Sequence, residues 1–208
     1  FREMLYRAVR PEDYCHLIER DISWVSHANA EFRWTGSWLT GFVTVDPRGT
    51  DEIKPEQNKE LRQLVNRYRM AGTEVYELAP TYANLDLEIT VCAQPDAFRG
   101  DVKVRVLDAL SSGITRSGQK AFFHPDQFTF GTPLYRSRLE AAIQSVTGVK
   151  GVRRIHVRRR GFMDFPADQM EDNLPEVFEV GRNEIIRVMN DPNWPERGSL
   201  KVHVEGGK

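Results

Sequence analysis

His124-Pro125-Asp126 is the first place in the chain where chemistry could be done, because a histidine and a carboxylate two residues apart can exchange a proton. A hydrolase centred on His124 and Asp126 would also need a nucleophile and a third group to orient the imidazole, and no such motif accompanies the pair. The flanks predict something else. Phe122, Phe123, Phe128 and Phe130 can bury large apolar faces and pin a loop, while Pro125 and Asp126 turn it. Other reactive residue types lack the spacing that chemistry requires. His16, His27, His124, His156 and His203 fall in no metal-ligand pattern, and adjacent Cys15 and His16 point in different directions on a helix. No Walker loop or dinucleotide fingerprint is present; Ser111-Ser112-Gly113 and Arg116-Ser117-Gly118 offer small residues only. Carboxylate pairs such as Asp86/Glu88 and Glu171/Asp172 are expected to be solvated. The expectation is a protein without catalytic residues, metal or cofactor, and therefore not an enzyme.

The uneven feature is charge. Lys150, Arg153, Arg154, Arg158, Arg159 and Arg160 crowd one segment, and Asp164, Asp168, Glu171, Asp172, Glu176 and Glu179 crowd the next. A nucleic-acid-binding module using the Arg153–Arg160 strip is the alternative this pattern raises. A net charge of −1 and so close an acidic stretch argue against it. The strip is expected to be satisfied by the neighbouring loop or by an adjoining subunit, and the residues do not choose between them. No apolar run approaches the roughly 20 residues needed to span a bilayer. Two cysteines, Cys15 and Cys92, are too few for a disulfide framework and suit small buried hydrophobes in a reducing compartment.

These residues need elements to hold them. Pro11 with Glu12 and Asp13 predicts a helix start, followed by an apolar stripe of Tyr14, Leu17 and Ile18. The segment 22–38 is rich in β-formers, Thr35-Gly36-Ser37 is a turn, and 39–45 is a strand. Leu61, Leu64, Val65 and Tyr68 share one helical face over 56–71, with Gly72 as the residue that ends the helix. A short strand over 75–78 completes a first unit, 1–80. In the second unit, 81–208, Leu85, Leu87, Ile89 and Val91 alternate with polar residues in a strand with one wet face. A helix is predicted over 101–110 with Asp101 as N-cap. Another opens at Thr132-Pro133 and carries Tyr135, Leu139, Ala142, Ile143 and Val146 on one side. Strands are expected over 152–158, 184–189 and 200–204. The fold class is α+β: two tandem small α/β sandwich domains, with mixed or antiparallel sheets and helices packed on one face.

Several stretches together resemble the C-terminal part of baseplate J-like proteins, the baseplate assembly proteins of contractile phage tails and related injection systems. They are YRAVRPEDY, RWTGSW with FVTVDP, RYRMAG, LDLEITVCAQP, FFHPDQFTFGTPLYRSRLEAAIQSVTGV and EIIRVMNDPNWPERGSLKVHVEGG. The resemblance covers nearly the whole chain, and SSGITRSGQKA departs from it as a longer link. It implies a protein that extends N-terminally, with Lys208 at or near its natural end. It also implies a wedge component of a virion or injection-particle baseplate, assembled in the bacterial cytoplasm. The implied partners are itself and other baseplate wedge or hub proteins, with no small-molecule substrate, membrane or nucleic acid. Obligate contacts of that kind commonly bury roughly 2,000 Å² or more. Trp and Arg being favoured interface anchors, the candidate contact residues are Trp34, Trp38, Trp194, Arg153, Arg154, Arg158, Arg159 and Arg160.

Overall fold

The computed structural model describes residues 7–161 and 172–208. The chain divides into two compact units: Phe1–Thr81 with Arg182–Glu184, and Tyr82–Gly181 with Ile185–Lys208.

The first unit begins with helix α1 (Pro11–Asp21). The Asp13 carboxylate accepts hydrogen bonds from the backbone N–H groups of Arg10 (2.9 Å) and Val9 (3.0 Å). The bond from Arg10 is the main reason the carboxyl titrates below its ordinary range. Tyr14, Leu17 and Ile18 are buried, one stripe at helical spacing. Strand β1 (Val25–Trp34) turns into β2 (Leu39–Pro47) as an antiparallel hairpin, and β3 (Val75–Leu78) joins β2 in parallel, giving the order β1-β2-β3. Alternate residues Ala28, Ala30, Phe32, Val43, Val45 and Val75 meet α1 and helix α2 (Pro55–Tyr68) in one core, which α2 enters through Leu61 and Val65. Gly41 sits in that face because a Cβ there would come within 2.8 Å of the Phe32 ring. Helix α2 stops at Tyr68, where its apolar stripe ends, and not at the expected residue 71. Arg69 is extended and bridges Ala8, whose N–H donates to the Tyr68 carbonyl at 2.9 Å. Gly72 therefore serves the turn beyond, with φ +82°, and does not cap the helix.

The second unit is built on β4 (Thr81–Ala93), which pairs antiparallel with β6 (Val149–Arg159) on one side. On the other side lie β8 (Glu184–Arg187) and β9 (Ser199–Gly206), the latter running parallel to β4 from Asp86 to Ala93. Leu85, Leu87, Ile89, Val91 and Ala93 point into a core completed by Val102 and Val106 of helix α3 (Arg99–Ala109) and by Leu139 and Ile143 of helix α4 (Arg136–Gln144). Gly198 (φ +95°) lets β9 enter the sheet, since a Cβ would lie 2.6 Å from the Leu85 carbonyl oxygen.

Two helix starts differ from the sequence expectation. Phe98 is the N-cap of α3, so Asp101 falls inside the first turn, where its charge suits the helix dipole but caps nothing. Helix α4 begins at Arg136 and not at Pro133, because Leu134–Tyr135 (β5) pairs with Val177–Phe178 (β7). Strand pairing overrides the Thr-Pro helix signal, and Tyr135 is left 40% exposed outside the helical stripe. Strand β8 likewise stops at Arg187, short of Met189, whose N–H turns away to the Arg197 carbonyl.

Candidate interaction surfaces

The loop carrying His124 and Asp126 is organised by its rings. Phe122, Phe123 and Phe128 form a triangle with centroids 4.9, 5.8 and 5.7 Å apart, and Phe123 and Phe128 are buried. Phe130 packs against the same core. Pro125–Gln127 makes a single 3₁₀ turn, in which His124 Nδ1 accepts from the Asp126 N–H at 3.2 Å. The Asp126 carboxylate takes Lys120 Nζ at 2.6 Å. Imidazole and carboxylate thus cap and tie a turn braced by aromatic packing.

Arg154 and Arg158 of β6 lie on the opposite face of the sheet from the core. Register places Arg158 across from Asp86, His156 across from Glu88 and Arg154 across from Thr90, with Ser199, Lys201 and His203 of β9 on the far side of β4. Asp86 is the hub. Its Oδ2 accepts from Arg158 at 2.8 Å, and its Oδ1 accepts from Arg160 Nε at 2.8 Å and Ser199 Oγ at 2.6 Å. Burial alone would push this carboxyl up, but those three bonds and the Arg160 charge outweigh it and hold the group below its ordinary value. Arg153 pairs with Glu205, and Glu88 accepts from His203 at 2.6 Å if that ring nitrogen is protonated. Arg154 and Arg159 are engaged as well.

Two sequence expectations are corrected here. Asp86 is a 13% exposed acceptor, not a solvated bystander. Among the described residues, the acids that satisfy Arg153, Arg158 and Arg160 come from β4 and β9 of the same sheet. Of that loop's acids, Asp164, Asp168 and Glu171 lie outside the described residues, and Asp172 binds Arg136 through two nitrogens at 2.5 and 3.0 Å. Strand alternation marked Asp86 as outward-facing, but only the β4–β6 register reveals which cation it meets.

The tryptophans separate by unit. In the first, Trp34 (68% exposed) and Trp38 (52% exposed) flank the β1–β2 turn, and Trp34 pairs with exposed Leu39. Glu74 Oε2 accepts from Trp38 Nε1 at 3.1 Å and from the hydroxyl of exposed Tyr76 at 3.2 Å, tying Trp38 to β3. That carboxylate bond also raises the Tyr76 phenol above its ordinary value. Tyr76 stacks on Phe42, and the Arg33 guanidinium lies 5.5 Å from the Phe42 centroid. Leu39 and Tyr76 were not among the sequence candidates, because Leu39 meets Trp34 through the β1–β2 register and Tyr76 is brought to this end by the parallel β2–β3 pairing. In the second unit, Trp194 is half exposed, with the Arg197 guanidinium 4.6 Å over its ring.

Among the described residues, no helix is long and apolar enough to cross a membrane. None of their His, Cys, Asp and Glu side chains cluster in threes suited to a metal ion.

Comparison with known proteins adds a relationship to this geometry. No curated protein matches the chain. Among solved structures, it is similar to a chain of the "Cryo-EM structure of the anti-feeding prophage (AFP) baseplate, 6-fold symmetrised", with 15% identity and a TM-score of 0.51. The alignment covers 87% of this chain but only 37% of that one, and at this identity the likeness is one of fold. Residues 6–76, which carry the tryptophan hairpin and its helices, match the baseplate J-like central domain.

Proposed function

We propose that the chain is a structural component of a contractile tail baseplate, of the wedge or assembly kind, working through protein contacts and turning over no substrate. Its partners are then further copies of itself and neighbouring wedge or hub proteins, and its place is the baseplate of a virion or injection particle assembled in the bacterial cytoplasm. The match of residues 6–76 to the baseplate J-like central domain carries this reading, and the fold likeness to a baseplate chain supports it.

The first unit also presents a surface suited to such contacts. Trp34, Trp38, Leu39 and Tyr76 are each at least half exposed and gather at one end of the β1-β2-β3 sheet. Together they expose on the order of 500 Å² of largely apolar area, as large as the biggest patch on a typical monomer. A standard interface buries about 800 Å² per partner, so this patch would be the aromatic centre of a larger footprint. The arginines of the second unit favour the nucleic-acid alternative less, because Asp86 and Glu205 already hold three of them.

The test is electron microscopy of particles carrying Trp34→Ala and Trp38→Ala together. The variant should fold normally, and its particles should show tube and sheath without a complete baseplate. Complete baseplates, in particles from which this chain is absent altogether, would refute the proposal.

A further inference from the structure

The second unit contains a cavity of about 360 Å³ that neither the aromatic hairpin nor the arginine-bearing sheet face uses. It opens between the end of α3, the 114–120 hairpin and α4. Phe122 and Phe128, the rings that brace the His124 turn, also line it. Its polar groups are mostly occupied. Lys120 is held by Asp126 at 2.6 Å, and Asp108 Oδ2 accepts from the Arg116 N–H at 3.1 Å. Arg138 differs. It lies on the exposed side of α4, lines the cavity, and has no ion pair or hydrogen bond among the described residues.

A guanidinium without an anion beside an aromatic wall has a definite preference. Its planar donors match a carboxylate in two parallel bonds. Phosphate would satisfy the same donors, but it is fully hydrated and gains nothing from Phe122 and Phe128. A carboxylate attached to an apolar body uses both surfaces. The volume lies at the low end of the range for ligand pockets, which suits one or two side chains better than a nucleotide. We infer that this cavity is a docking pocket for an acidic–aromatic segment of a partner protein, with Arg138 gripping the carboxylate and half-buried Phe122, backed by buried Phe128, receiving the ring. The inference stands apart from the proposed baseplate role, since the pocket would act the same way in any assembly.

N-acetyl-phenylalanine is the smallest probe with both features, and N-acetyl-phenylalanine amide and inorganic phosphate are its controls. Titrated into the isotopically labelled 208-residue chain, the acid should shift the NMR signals of Arg138, Phe122 and Phe128 and saturate. The amide should bind about tenfold more weakly, as loss of a charged hydrogen-bond partner implies. Arg138→Gln should weaken the acid by about the same factor, and Ala142→Trp, which fills the cavity, should abolish the shifts. Ala142 is half-buried, so an unchanged spectrum elsewhere confirms that this variant folds. Equal binding of acid and amide, equal binding to Arg138→Gln, or phosphate displacing the acid at comparable concentration would each overturn the inference.

Discussion

Replacing Asp86 should unsettle the second unit more than replacing any one of the arginines around it. The carboxylate is 13% exposed, whereas its partners Arg158 and Arg160 are 49% and 32% exposed. In Asp86→Ala the two guanidinium groups can turn toward water, so the cost falls below the 3–5 kcal/mol of stranding a fully buried charge. The exposed Arg158 pair is screened and contributes under about 1 kcal/mol. The Arg160 and Ser199 bonds, better shielded and charge-assisted, add about 1 kcal/mol each. The sum is about 2–3 kcal/mol for Asp86→Ala, and about half that for Asp86→Asn, which keeps an oxygen for Ser199. Urea denaturation at neutral pH measures the difference, and deuterium exchange along β4 localises it to this sheet. In a background of Arg158→Ala with Arg160→Ala, the same substitution should cost about 1 kcal/mol, because two of its partners are already gone. The pH dependence has a definite sign. A carboxyl whose folded pKa is depressed stabilises fully above its unfolded value of about 3.9 and loses that contribution as pH falls through the lower folded value. The stability gap between the wild type and Asp86→Asn should therefore be constant near neutrality and close only in acid. A cost below about 0.5 kcal/mol, or one unchanged by removing both arginines, would refute the idea that Asp86 organises this face.

Further outcomes follow from the same geometry. Phe128→Ala removes a buried ring in contact with Phe122 and Phe123, and should cost about 3–5 kcal/mol by calorimetry or urea denaturation, whereas His124→Ala, losing one cap to the Asp126 N–H, should cost only about 1 kcal/mol. Burial pushes the Cys15 thiol up to about 11, so at pH 8 its alkylation, followed by peptide mass spectrometry, should run about a hundredfold slower than that of an ordinary thiol and recover in denaturant. Trp34→Ala should leave the unfolding midpoint of the first unit almost unchanged, since a 68% exposed ring has little burial to lose.

Periodicity made much of this fold readable. The alternation Leu85-Leu87-Ile89-Val91 marks β4, and the spacing of Leu61, Leu64, Val65 and Tyr68 marks α2, because each pattern is the direct imprint of a one-sided core. Phenylalanines around a Pro-Asp turn are legible as a brace for the same reason. Pairing was not legible. Whether an outward carboxylate meets an arginine depends on strand register, a property of two segments some 70 residues apart, as Asp86 and Arg158 are. The same limit explains the misplaced helix ends. Ala8 intercepts Arg69, and Val177–Phe178 intercepts Leu134–Tyr135, so long-range backbone bonds decide where α2 stops and α4 starts. Local cap signals cannot anticipate a distant partner.

The two solvent-facing surfaces differ in what binding could still gain there. On the β4–β6–β9 face, Arg158 and Arg160 have Asp86, Arg153 has Glu205 and Glu88 has His203, so a polyanion would have to compete with bonds already made. At the hairpin tip, Trp34 and Leu39 are each at least half exposed, and burying the rest of them would release free energy at about 25 cal/mol per Å². Association through the tip should then persist in 1 M salt, where the Debye length shrinks to about 3 Å, while contacts made by the arginines would weaken steeply. A complex held by Trp34 and Trp38 that survives high salt but dissociates in Trp38→Ala would place the grip in the rings. One that dissociates with salt and ignores Trp38→Ala would return it to Arg153–Arg160.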